Sequence, residues 1–110
     1  MLRIYPVVLE VIGSLRPFVS QLERKDPDLA RQLRRASSSI ALNVAEGMYS
    51  RGGNRTARYH TALGSARETQ ACLEVAAAMG YLPGVSPALA AQLHHVIGTL
   101  VRLVGVRASG

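Results

Sequence analysis

Apolar residues recur along this chain at steps of three and four, in four blocks, and proline or glycine bounds the blocks. Such steps put side chains on one face of an α-helix and do not fit the two-residue alternation of a half-buried strand. The first block is Val8, Ile12, Leu15, Val19 and Leu22, and the second is Leu29, Leu33, Ala36, Ile40 and Val44. The third is Tyr59, Leu63, Ala66, Gln70, Leu73 and Ala77. The fourth is Leu89, Leu93, Val96, Leu100 and Leu103, widened by Ile97, Val101 and Val104. The spacing predicts helices over about 6–24, 27–49, 54–79 and 86–106 in a single domain, 1–110. Short connections favour antiparallel neighbours, so the expected class is all-α, an antiparallel up-down four-helix bundle.

The punctuation supports these boundaries. Pro6 suits a first helical turn, whereas Pro17 falls inside the first block and predicts a kink or break near Arg16. Asp26-Pro27-Asp28 reads as N-cap, first-turn proline and dipole-favouring acid. Asn54 is the expected N-cap of the third helix, after the glycine turn Ser50 to Gly53. Gly80 then Pro83 reads as a helix stop, and Ser86-Pro87 as a new start. The fourth block is apolar over more than one face, which predicts a subunit interface. Gly13, Gly47, Gly64 and Gly98 in or at the ends of helices imply close helix approach, with frayed ends as the alternative for Gly47.

Thirteen basic residues against seven acids give a formal charge of +6, and only Lys25 among the bases is lysine. Two readings compete: an arginine-writing codon bias, or a polyanion partner whose phosphates match the guanidinium fork. Cys72 is the lone cysteine, which excludes an internal disulfide and suits a reducing cytoplasm. The N-terminal stretch does not read as a signal peptide. Val85 to Val106 is the most apolar segment, but Pro87, Gln92, His94, His95 and Arg102 within it argue against a membrane span.

A polar stripe interrupts the second and third helices. It runs Arg35, Ser39, Asn43, Glu46 on one and Arg58, Thr61, Ser65, Glu68 on the other. Folding the pair back at the glycine turn sets Arg35 level with Glu68, Ser39 with Ser65, Asn43 with Thr61, and Glu46 with Arg58. The expectation is a polar ladder, as a register device or a ligand site, with the structural role favoured.

The run from Leu33 through Ser37-Ser38-Ser39 and Asn43 to Glu46-Gly47, followed by Ala62 to Glu68 and Gly80-Tyr81-Leu82, resembles the four-helix bundle proteins of the 23S ribosomal RNA intervening-sequence family. The resemblance covers roughly residues 5–105. It implies a ring-like homopentamer. It also implies kinship with the accessory protein of diversity-generating retroelements, a basic pentamer that binds a reverse transcriptase and nucleic acid. The signature positions Asn43, Glu46, Gly47, Ser65 and Glu68 carry over as architectural. The chain departs from the family pattern between Arg51 and Arg58, where Asn54 and Tyr59 replace the usual Ser-x-x-Glu/Asp-Phe capping stretch.

No catalytic constellation stands out. Ser37, Ser38 and Ser39 point different ways on a helix and have no supporting histidine. Adjacent His94 and His95 diverge by about 100° and cannot chelate one metal together, and His60 is isolated. Gly52-Gly53 lacks the strand and lysine of a phosphate loop. The expectation is therefore no enzyme, cofactor or metal. The best functional lead is basic: Arg51, Arg55, Arg58 and Arg67 lie in a stretch without acids, with Arg31 and Arg34 earlier and Tyr49 and Tyr59 alongside. Arg51 and Arg55 are expected free at the turn. They point to RNA or DNA contacts, multiplied around a ring. The competing reading is a solvated face with nothing bound, or a module that recruits a protein.

Overall fold

The computed structural model describes residues 3–109, with side chains described for 3–105. Four helices and no strand are present among the described residues: α1 Ile4–Lys25, α2 Pro27–Met48, α3 Gly52–Ala78 and α4 Pro87–Ser109. Each packs on the next and α4 closes against α1, with α2 on α3 the most extensive contact. The body measures 42 × 21 × 21 Å.

The caps explain the boundaries. Asp26 accepts from the Leu29 amide at 3.0 Å and Ser86 Oγ from the Leu89 amide at 3.2 Å, with Pro27 and Pro87 opening their helices. At the end of α3, Gly80 takes φ +76° while its amide reaches the Ala77 carbonyl and the Tyr81 amide reaches that of Ala76. That six-to-one and five-to-two pairing is a Schellman stop, which needs the left-handed residue glycine provides. Helix α3 corrects one expectation: it starts at Gly52 behind Arg51, with no side-chain cap, so Asn54 lies inside it.

Helix α1 runs through Pro17 without a break. An interior proline crowds the carbonyl four residues earlier, here that of Gly13, on an exposed stretch where nothing packs within 4 Å. Gly13, Gly64 and Gly98 do not mark close helix approach within the chain: no other helix comes within 4 Å of a Cβ built at any of them.

All five members of the α2 block are buried. On α4, Leu89, Leu93, Val96, Leu100 and Val104 are buried, while Val101 stays exposed. Helix α3 turns inward a face that shares Tyr59, Ala66 and Leu73 with the expected one but is rotated from it at Gln70 and Ala77. Tyr59, Ala62, Ala66, Thr69, Cys72, Leu73 and Ala76 are buried, Leu63 is half-buried, and Gln70 and Ala77 are exposed. Three of these seven buried residues are alanines and one is a threonine, so hydrophobic contrast along the helix is weak. The polar members Ser37 and Thr69 are satisfied by their own helices, donating to the Arg34 and Ser65 carbonyls at 3.1 and 2.8 Å.

Candidate nucleic-acid interface

The α2–α3 turn is assembled from both helix ends. Gly47 is buried in the last turn of α2, and the Tyr59 ring lies directly on it: a Cβ built at Gly47 would collide with the ring. Any side chain at position 47 would displace the tyrosine. From the same side, Arg55 Nε donates to the Gly47 carbonyl at 3.2 Å and the Ser50 carbonyl at 2.9 Å. The Gly47 carbonyl already accepts from the Ser50 amide at 3.2 Å, so Arg55 adds a second donor there and supplies one to the Ser50 carbonyl. Arg55 is thus fastened to the turn, not free as the sequence suggested.

Around this latch the turn presents Arg51 and Arg58, both exposed and in no ion pair among the described residues. Tyr49 projects beside them, 87% exposed. Gly52 takes φ +57°, which lets the chain enter α3 immediately after Arg51. Burial pushes the Tyr59 phenol above its ordinary range, and the nearby Arg55 charge partly offsets that rise.

The structure does not gather the other predicted arginines here. Arg67 is nine residues beyond Arg58, which on a helix sets it on the opposite side of α3. Arg31 pairs with Asp28 at 2.9 Å and Arg34 with Glu23 at 3.5 Å, near the far end of α2. At that end Arg24, Lys25, Arg31 and Arg34 meet Glu23, Asp26 and Asp28, an excess of one positive charge. The candidate interface therefore contracts to Tyr49, Arg51, Arg55 and Arg58, with Glu46 the nearest acid in sequence.

Of the four expected rungs between the polar stripes, two form. Ser65 Oγ donates to Ser39 Oγ at 2.8 Å, and Arg35 reaches Glu68 at 4.0 Å on an exposed edge. Asn43 Nδ2 instead donates to the Ser39 carbonyl and hydroxyl at 2.9 and 3.0 Å, and Thr61 donates to the Ala57 carbonyl. Glu46 and Arg58 make no ion pair with each other. The stripes lie along the rim of the α2–α3 contact, where Glu46, Arg58 and Thr61 are exposed to solvent.

Elsewhere, Cys72 is buried, and burial, reinforced by Glu68, raises its thiol above the usual range. Among the described residues no three His, Cys, Asp or Glu side chains gather to hold a metal ion. Pro87–Gly105 on α4 is long and apolar enough to cross a membrane by length and composition alone, a test that core helices of soluble proteins also pass.

The fold and turn define an all-helical, four-helix protein with a basic, aromatic-bearing tip. Residues 9–101 match the family model described as 23S rRNA-intervening sequence protein. The chain belongs to that family. Its fold is similar to a crystal structure, at 1.70 Å resolution, of a protein of unknown function from the S23 ribosomal protein family of Bacteroides thetaiotaomicron. That similarity has a TM-score of 0.79 and 18% identity, and covers 92% of this chain and 97% of the other. No curated protein matches the chain.

Proposed function

We propose that this protein is a non-enzymatic, homo-oligomeric adaptor that binds RNA or DNA in the cytoplasm through the α2–α3 tip. The observation that carries the reading is the exposed aromatic Tyr49 beside Arg51, Arg55 and Arg58. Arginine forks engage phosphate oxygens, and an exposed ring offers a face on which a base stacks. The family description names an RNA segment, which agrees with this chemistry.

The bundle is antiparallel and up-down in this reading. Successive α2 residues Arg35, Ser39 and Gly47 meet Glu68, Ser65 and Tyr59 in descending order on α3. Copies assemble as a ring, five by the family resemblance. Leu9, Leu42, Val75, Met79 and Val101 remain exposed on the single chain and supply apolar contact area. A ring repeats the tip along one rim, so weak phosphate contacts add through avidity. A protein partner of the reverse-transcriptase kind follows from the same resemblance. A second reading, a protein-recruiting module without nucleic acid, draws on those same exposed apolar residues.

Titration of labelled RNA and of single- and double-stranded DNA at rising salt tests the proposal. Binding should weaken steeply, log K falling with log salt by about 0.7–0.9 for each phosphate contact. Arg51→Ala with Arg58→Ala should flatten that slope by about 1.5 and leave the oligomer intact. Absence of binding at low salt overturns the nucleic-acid reading and leaves the protein-recruiting one.

A further inference from the structure

We propose that the α2–α3 tip recognises an unpaired nucleobase, so that its nucleic-acid ligand is a single strand rather than a duplex. The inference deepens the nucleic-acid reading and rests on it. It starts from the backbone of the turn, which is tied down from both sides. The amides of Tyr49 and Ser50 donate to the Glu46 and Gly47 carbonyls, each at 3.2 Å. Ser50 Oγ donates to the Glu46 carbonyl at 2.8 Å, and Arg55 Nε reaches back from α3 to the Gly47 and Ser50 carbonyls. The Tyr59 ring fills the space beside Gly47.

On this fixed turn one large ring is left uncovered. Tyr59 serves the core, whereas Tyr49 is 87% exposed, more than any other large apolar side chain among the described residues. A ring on a held backbone has only its two side-chain torsions left to order on binding, which keeps the entropic cost of a stack small. Arg51 and Arg58 stand beside it, exposed and in no ion pair among the described residues. Glu46, one turn earlier on α2 and also exposed, repels phosphate but leaves a neutral ring unaffected. The ring carries no charge, so its counterpart is the uncharged part of a nucleotide, the base.

Strand state follows from what each group can reach. Arginines meet phosphates on a duplex and on a single strand alike. A ring covers a base only where the face of that base is open. Inside a duplex each face is covered by its neighbour, and taking a base out of the stack costs as much as a side-chain stack returns. A single strand opens its bases at little cost, so there the ring adds to the arginines. One such stack corresponds to at least about fivefold in affinity. The duplex, with its higher charge density, gains more from each phosphate contact at low salt. The preference for a single strand therefore emerges at physiological salt.

The test uses the full chain and three labelled ligands of equal length: a single strand, its duplex, and a single strand of abasic nucleotides, which keeps the phosphates and loses the ring faces. The comparison is run in DNA and in RNA, and the preference should appear in whichever binds. At about 0.15 M salt the intact single strand should bind at least about fivefold tighter than the duplex and than the abasic strand. Removing a ring as exposed as that of Tyr49 leaves the core intact. Tyr49→Ala should bring the intact strand down to the level of the abasic one. Tyr49→Phe should keep the preference, since a stack needs the ring and not the hydroxyl. Arg51→Ala with Arg58→Ala should weaken all three ligands together. The chain contains no tryptophan, so tyrosine emission reads the contact directly. The intact strand should quench part of that emission, and Tyr49→Phe should remove the quenched part. Equal affinity for single strand and duplex, a preference that survives Tyr49→Ala or the loss of the bases, or one that Tyr49→Phe abolishes, each overturns the inference and leaves the nucleic-acid reading standing. No binding of any of the ligands at low salt overturns both.

Discussion

Gly47 and Tyr59 form the tightest contact in the tip, since the ring occupies the space a Cβ at position 47 would need. Gly47→Ala should destabilise the chain by about 1–3 kcal/mol, the usual range for overpacking, read from urea unfolding. Tyr59→Leu in the same chain should recover part of that loss, giving a coupling term between the two positions. The sequence left Gly47 between close approach and a frayed end. A glycine near a helix terminus fits both, and only the position of the ring decides. Tyr59 also sets a pH dependence. Its phenol pKa is raised in the folded chain by burial, so the folded state holds its proton longer than the unfolded state does. The resulting stability is complete below the unfolded tyrosine value of about 10 and is lost as pH rises through the folded value. Thermal melts above about pH 10 should show that loss, and Tyr59→Phe should remove its share. Cys72, buried and with its thiol pKa raised, should alkylate slowly in the native protein and fast in urea.

At the scale of elements, the helix starts at Pro27 and Pro87 and the stop at Gly80 were legible because each depends on a few local residues whose chemistry has one use. The α3 start was not. Asn54 carried the right chemistry, but the left-handed Gly52 lets the helix begin earlier, and a positive φ at glycine leaves no mark on composition. The inward face of α3 was legible at Tyr59, Ala66 and Leu73 and missed at Ala62 and Ala76, because alanine reads as neutral in a hydrophobic pattern. The ladder was half legible. Its Ser39–Ser65 and Arg35–Glu68 rungs follow from register, whereas Asn43 finds a nearer acceptor on its own helix. Gly64 is exposed, with nothing within 4 Å of a built Cβ. In the dilute single chain, Gly64→Ala should therefore add about 1 kcal/mol of helix propensity, measured by chemical denaturation.

Across the whole molecule, the proposed ring makes stability depend on protein concentration. Tm should rise with concentration, and light scattering on a sizing column should report a mass several times that of one chain. A polar residue introduced at Leu42, as in Leu42→Asp, should lower that mass without unfolding the subunit, because the side chain is 66% exposed on the single chain. The long axis of the body carries one further consequence. Formal charges nearly cancel around the α1–α2 connection, where Glu23, Asp26 and Asp28 meet Arg24, Lys25, Arg31 and Arg34, whereas Arg51, Arg55 and Arg58 at the opposite end of α2 outnumber Glu46 by two. About 33 Å of helix separates the two. The subunit is thus a small electric lever: in the field of a polyanion it feels a torque that swings the arginine end foremost before anything touches, so diffusion delivers it already aligned.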